Sequence, residues 1–108
     1  IYIQLVEQLK LYIITGELKV GTRIPSVRDF ALQAKVNPNT MQKALTELES
    51  EGLIYTERTN GKFVTTDVKL IEKLQEKFAQ KAVKEYFASM EKLGIQKEKA
   101  IDYLKEQK

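Results

Sequence analysis

Two helix starts, with almost no chain between the helices they open, constrain this sequence more than any other feature. Ser26 and Asp29 have the three-residue spacing of a capping box, where a hydroxyl and an acidic group cover free amides at a helix start. Asn37 followed by Pro38 is a second start: an N-cap residue, then a residue that needs no amide donor at the first helical position. Val27, Phe30, Ala31 and Ala34 give the first helix an inner face. Met41, Ala44, Leu45 and Leu48 give one to the second, which Gly52 closes. Only Lys35–Asn37 lie between the two, so the pair forms a helix-turn-helix.

The flanking segments complete the plan. Ile3, Val6, Leu9, Ile13 and Ile14, widened by Leu5 and Tyr12, predict an amphipathic helix over 1–15 that stops at Gly16. The stretch GELKVGTRIP (16–25) reads as a loop. LIYTE (53–57) and KFVTT (62–66) flank Asn60-Gly61, which predicts a hairpin with a type I′ turn. Helix, helix-turn-helix, ribbon is the winged-helix order. Asp67 caps a long helix over 68–93, closed by Gly94, which at ~1.5 Å per residue spans roughly 40 Å. A final helix over 97–107 turns Ala100, Ile101 and Leu104 inward. The expected architecture is mostly α with a small β-hairpin. A winged helix-turn-helix domain (1–66) precedes a two-helix C-terminal dimerisation segment (67–108).

Composition removes most chemistry. Among 108 residues there is no His and no Cys, which excludes His or Cys metal sites, Cys nucleophiles, His bases and disulfides. Glu47, Glu49 and Glu51 crowd together without a nucleophile or glycine cradle and read as the solvated end of the second helix of the pair. GELKVG lacks the Gly-Lys-Ser/Thr ending of a phosphate loop. An enzyme is not expected, nor are a metal or a cofactor. No run approaches the ~18 apolar residues of a membrane span. The opening IYIQLVEQLKLYI has no signal-peptide pattern and no initiating Met, so a few missing or processed residues and a cytoplasmic location are expected.

What is left is a surface for recognition. In the helix over 38–51, Asn39, Thr40, Gln42 and Lys43 cluster in the first two turns, largely off the apolar face. Asn and Gln can pair with adenine edges in a major groove, Thr can touch a thymine methyl, and a helix enters that groove by its N-terminal residues. On this helix alone, an ordinary solvated face explains the pattern equally well. A basic set of Arg23, Arg28, Lys35, Lys43, Arg58 and Lys62 falls mostly around it, with Arg58 and Lys62 flanking the wing turn. Placement carries this reading, because residues 1–66 hold 8 basic and 7 acidic side chains. The stripe Leu70, Ile71, Leu74, Phe78, Val83, Phe87 and Met90 is longer than the last helix covers, which favours burial against a second copy over packing within one chain.

Further spaced positions carry a resemblance. Gly16, Leu18, Gly21, Ile24-Pro25-Ser26, Arg28 and Phe30-Ala31 are followed by Val36-Asn37-Pro38-Asn39-Thr40, Ala44-Leu45, Leu48-Glu49, Glu51-Gly52-Leu53-Ile54 and Gly61-Lys62-Phe63-Val64. Together, over 1–65, they resemble the GntR-type winged-helix domain, and VNPNT with a short helical tail resembles its YtrA subfamily. The resemblance implies a bacterial transcription regulator that binds double-stranded operator DNA as a homodimer, commonly a repressor near transporter genes. It puts contact positions on Arg28, Asn37, Asn39, Thr40, Gln42 and Gly61. Pro38 and Gln42 stand where many members have Arg, Thr59 where Gly is common, and Ile24 where Leu is usual. The short tail lacks the family's usual ligand cavity, which leaves a small-molecule effector unassigned, with a pocket at a dimer interface as its remaining place. The expected function is a dimeric repressor on an inverted-repeat operator, with 38–51 in the major groove and the hairpin 53–66 as wing. The alternative is a winged-helix module for protein–protein contact without DNA binding.

Overall fold

The computed structural model describes residues 2–108. Helices α1 (Tyr2–Thr15), α2 (Val27–Ala34) and α3 (Pro38–Ser50) precede strands β1 (Ile54–Glu57) and β2 (Gly61–Val64), and α4 (Val68–Lys92) and α5 (Lys97–Lys105) follow. The chain divides into two compact units, the first ending at Leu74 and the second covering Gln75–Lys108. The division falls inside α4, past the end of the wing near Thr66–Asp67.

In the first unit, α1 packs on α3 through Val6, Leu9 and Ile13. Ile3, expected on the inner face, is 65% exposed, because the core contacts of α1 begin only at Val6. The Ser26 hydroxyl accepts the Asp29 N–H at 3.2 Å and starts α2, which buries Phe30 and Ala31 and leaves Ala34 at the surface. Lys35 then takes a left-handed conformation (φ 57°), and its N–H caps the end of α2. A non-glycine residue in this region costs about 1 kcal/mol, a cost borne so that α3 can begin three residues later. The Asn37 side chain accepts the Asn39 N–H at 2.7 Å, and Pro38 follows as foreseen. Met41, Ala44, Leu45 and Leu48 are each no more than 1% exposed, so one side of α3 is wholly core.

The wing differs from expectation in two ways. Glu57 pairs with Gly61, and the Asn60 N–H returns to the Glu57 carbonyl at 3.3 Å. The turn therefore spans Glu57–Asn60, and Asn60 does not have the positive φ of a type I′ turn. The left-handed position is Gly61 alone, at φ 96°. The second difference is that residues 21–24 are not a free loop. The Gly21 N–H donates to the Val64 carbonyl, the Val64 N–H to Thr22, and the Ile24 N–H to Lys62, all within 3.0 Å. A bridge between Arg23 and Phe63 completes a third, strand-like member beside β2. Tyr55 and Phe63 stack across the hairpin with ring centroids 5.7 Å apart.

The Asp67 carboxylate accepts the Leu70 N–H at 3.1 Å and caps α4 as expected. Leu74, expected in the stripe that faces a second copy, is instead 8% exposed within its own chain, so that position is already covered. In the second unit, the Tyr86 hydroxyl donates to the Ala100 carbonyl at 2.6 Å, and Lys97 lies 5.3 Å from the centre of the Phe87 ring. Ala100 is the only residue of 75–108 that is buried. Ile101 (38% exposed) and Leu104 (48%), expected on the inner face of α5, lie at the surface because little packs against that short helix.

Candidate nucleic-acid interface

The core side of α3 fixes which residues its other side can offer. With Met41, Ala44, Leu45 and Leu48 inside, Asn39, Gln42 and Lys43 are exposed and Thr40 is half-buried at the edge of the same face. Gln42 folds back on its own helix: its amide nitrogen donates to the Thr46 hydroxyl at 3.3 Å, and that hydroxyl donates to the Gln42 carbonyl at 2.9 Å. A single weak bond at the helix surface is exchangeable for a bond to a ligand. Asn37 differs, since its carboxamide oxygen is already used as the N-cap. Arg28 is an exposed residue in the first turn of α2, directly preceding α3 in the helix-turn-helix.

The wing side holds Arg58, exposed within the turn, then Gly61 and Lys62. Lys62 is engaged inside the molecule. Its ammonium reaches Glu49 at 3.1 Å and the Thr56 hydroxyl at 2.9 Å, and Thr56 in turn donates to Glu49 at 2.7 Å. These bonds tie both strands of the wing to the last turns of α3. The hydrogen bond from Thr56, then that from Lys62, holds the Glu49 carboxyl below its usual range, and partial desolvation opposes them only weakly. Glu51 pairs with Lys10 of α1 at 3.0 Å. Glu49 and Glu51 are therefore fasteners between elements, and the reading of Glu47, Glu49 and Glu51 as one solvated end is corrected for these two. Their partners lie in β1, β2 and α1, so no local sequence signal could have shown it.

Among the described residues no cluster of His, Cys, Asp or Glu is placed to hold a metal ion, and no helix is long and apolar enough to cross a membrane. Residues 1–64 match the family described as bacterial regulatory proteins, gntR family. The chain belongs to the GntR family. It is 35% identical over 112 residues to the HTH-type transcriptional repressor YtrA of Bacillus subtilis (strain 168), covering 98% of this chain and 82% of that protein. A solved GntR family transcriptional regulator from Listeria monocytogenes superposes with a TM-score of 0.87 at 39% identity, covering 99% of this chain and 94% of that one. The structure of AraR(DBD) in complex with operator ORR3 matches 59% of this chain and 77% of that one, with a TM-score of 0.54 at 31% identity.

As a GntR regulator, the chain is a transcription factor with a winged helix-turn-helix and not an enzyme. The GntR pattern also accounts for Ile24, 3% exposed, which fills the core position where Leu is usual.

Proposed function

We propose that this GntR-family chain is a cytoplasmic repressor that binds double-stranded operator DNA as a homodimer. One observation supports the DNA reading above others. α3 has one side sealed in the core and the other made of Asn39, Thr40, Gln42 and Lys43, all in its first two turns. These groups carry donors and acceptors suited to base edges, on the part of a recognition helix that enters the groove. Arg28, Lys43 and Arg58 contribute contacts to phosphate, and the Gly61 backbone approaches the duplex at the wing. Asn37 and Lys62 act through the conformations they hold. A protein–protein role would need apolar side chains on the exposed side of α3, where instead Asn39, Gln42, Lys43, Thr46, Glu47, Glu49 and Ser50 stand.

The homodimer rests on the second unit. With Ala100 alone buried among 75–108, that unit has no core of its own size. Phe78, Phe87 and Met90 are half-buried and Val83 is 49% exposed, apolar side chains of the second unit that a second copy would cover. Two reading heads related by a two-fold axis call for an inverted repeat, with half-site centres about one helical turn or a small multiple apart. Selection from a randomised duplex pool identifies that repeat. The double variant Thr40→Ala/Gln42→Ala is then expected to lose about 1–3 kcal/mol per base contact on the selected site while binding the unselected pool as before. Unchanged discrimination between the two would remove α3 as the reading element.

A further inference from the structure

A cation outside the hairpin sits on the tip of the wing. Arg23 belongs to the segment between α1 and α2, yet its backbone is pinned beside β2 by the bonds from Val64 to Thr22 and from Ile24 to Lys62, at 2.9 Å each. Its guanidinium then lies against Gly61. A Cβ built on Gly61 would stand 3.1 Å from the Arg23 Nε, 3.4 Å from one terminal nitrogen and 3.6 Å from the central carbon. The absence of a side chain at Gly61 thus serves two ends, the left-handed turn and a flat seat for the arginine. Arg23 is exposed, and no ion pair or hydrogen bond holds its guanidinium among the described residues. Lys62, the neighbouring cation of the hairpin, is neutralised by Glu49.

We propose that Arg23 is a second phosphate-contacting cation of the wing, beside Arg58, and that Lys62 is an internal fastener of the wing. The physical case is pre-organisation. The backbone of Arg23 is fixed on both sides and its planar head is laid on a glycine, so little freedom is left to lose when an anion arrives. A paired ammonium such as Lys62 must first leave a carboxylate, which returns most of the gain. The contact expected is with the sugar-phosphate backbone, which sets register and carries no sequence information. The inference rests on the duplex-DNA reading above and assigns a positioning residue to it.

The test is binding of the 108-residue chain to a randomised duplex pool, followed by fluorescence anisotropy across a salt series. Each phosphate contact contributes about 0.9 to the slope of log affinity against log salt on duplex DNA. Arg23→Gln removes the charge and shortens the side chain but leaves a polar group at an exposed position and the backbone bonds of 22–24 untouched, so it is expected to melt as the wild type does. Its slope should be shallower by about one contact, so that between about 50 and 200 mM salt it loses roughly 3.5-fold less affinity than wild type. Arg23→Lys should recover most of that slope, and Lys62→Met should leave it unchanged. A wild-type slope in Arg23→Gln overturns the proposal, as does a slope lost in Lys62→Met and retained in Arg23→Gln. If Arg23→Gln weakens only a selected site and not the random pool, Arg23 reads bases and the phosphate assignment is wrong. A wild-type chain with no salt-dependent duplex binding would overturn the DNA reading itself, and this assignment with it.

Discussion

The Asn37 carboxamide has one oxygen, and the α3 amides use it. Its bond to the Asn39 N–H at 2.7 Å satisfies a donor that the first turn of a helix otherwise leaves open. Asn37→Ala is expected to cost about 1 kcal/mol, seen as a lower urea midpoint at unchanged slope. Asn37→Asp keeps the cap and adds a negative charge beside the proposed reading face. It should hold the wild-type midpoint and still bind duplex DNA more weakly, which separates the structural task of this residue from its place in the interface. The cap was legible because N-capping is local: Asn before Pro, ahead of Met41, Ala44 and Leu45, states it within a few residues. The occupation of Lys62 was not legible, since Glu49 lies 13 positions away and meets it only once the hairpin folds onto α3.

At the scale of elements, the wing is held by a polar fastener whose strength depends on pH. Glu49 has a folded-state pKa below its ordinary value of 4.5, so its ionised form favours the folded wing. That contribution is fully present above the unfolded value and is lost as pH falls through the lowered one. The group is well exposed, so the effect is a fraction of a kcal/mol to about 1 kcal/mol. Wild-type stability should therefore fall more steeply than that of Glu49→Gln as pH drops from about 5 to 3, and the two should be parallel near pH 7. Amide exchange in β1 and β2 would report it. The helix boundaries followed from caps and apolar spacing. The third strand-like member did not, because a short run such as Thr22-Arg23-Ile24 between glycine and proline looks like loop until β2 is present to pair with it. The turn type departs from its local signal for a related reason. Asn60-Gly61 fits a two-residue turn locally, but pairing of Glu57 with Gly61 sets a longer one.

For the molecule as a whole, the contrast lies between a first unit with a continuous apolar interior and a second with a single buried alanine. Val83→Glu puts a charge on the stripe assigned to the partner copy. Sedimentation should then show half the wild-type mass, with the helix and sheet signals of the first unit retained. Affinity for a two-half-site operator should fall by roughly 10²–10⁴-fold, the advantage that linked heads have over separate ones. Unchanged mass would shift the interface elsewhere. The strand-like segment at 21–24 bears on how the first unit assembles. β1 and β2 are near neighbours along the chain, but their third companion was made about forty positions earlier, ahead of α2 and α3. Long-range pairings of this kind form late and slow the approach to the native state. A synthetic peptide of residues 53–66 would stay unstructured, and in the intact chain the outer edge of the wing closes only when the segments on either side of α2 and α3 are brought together.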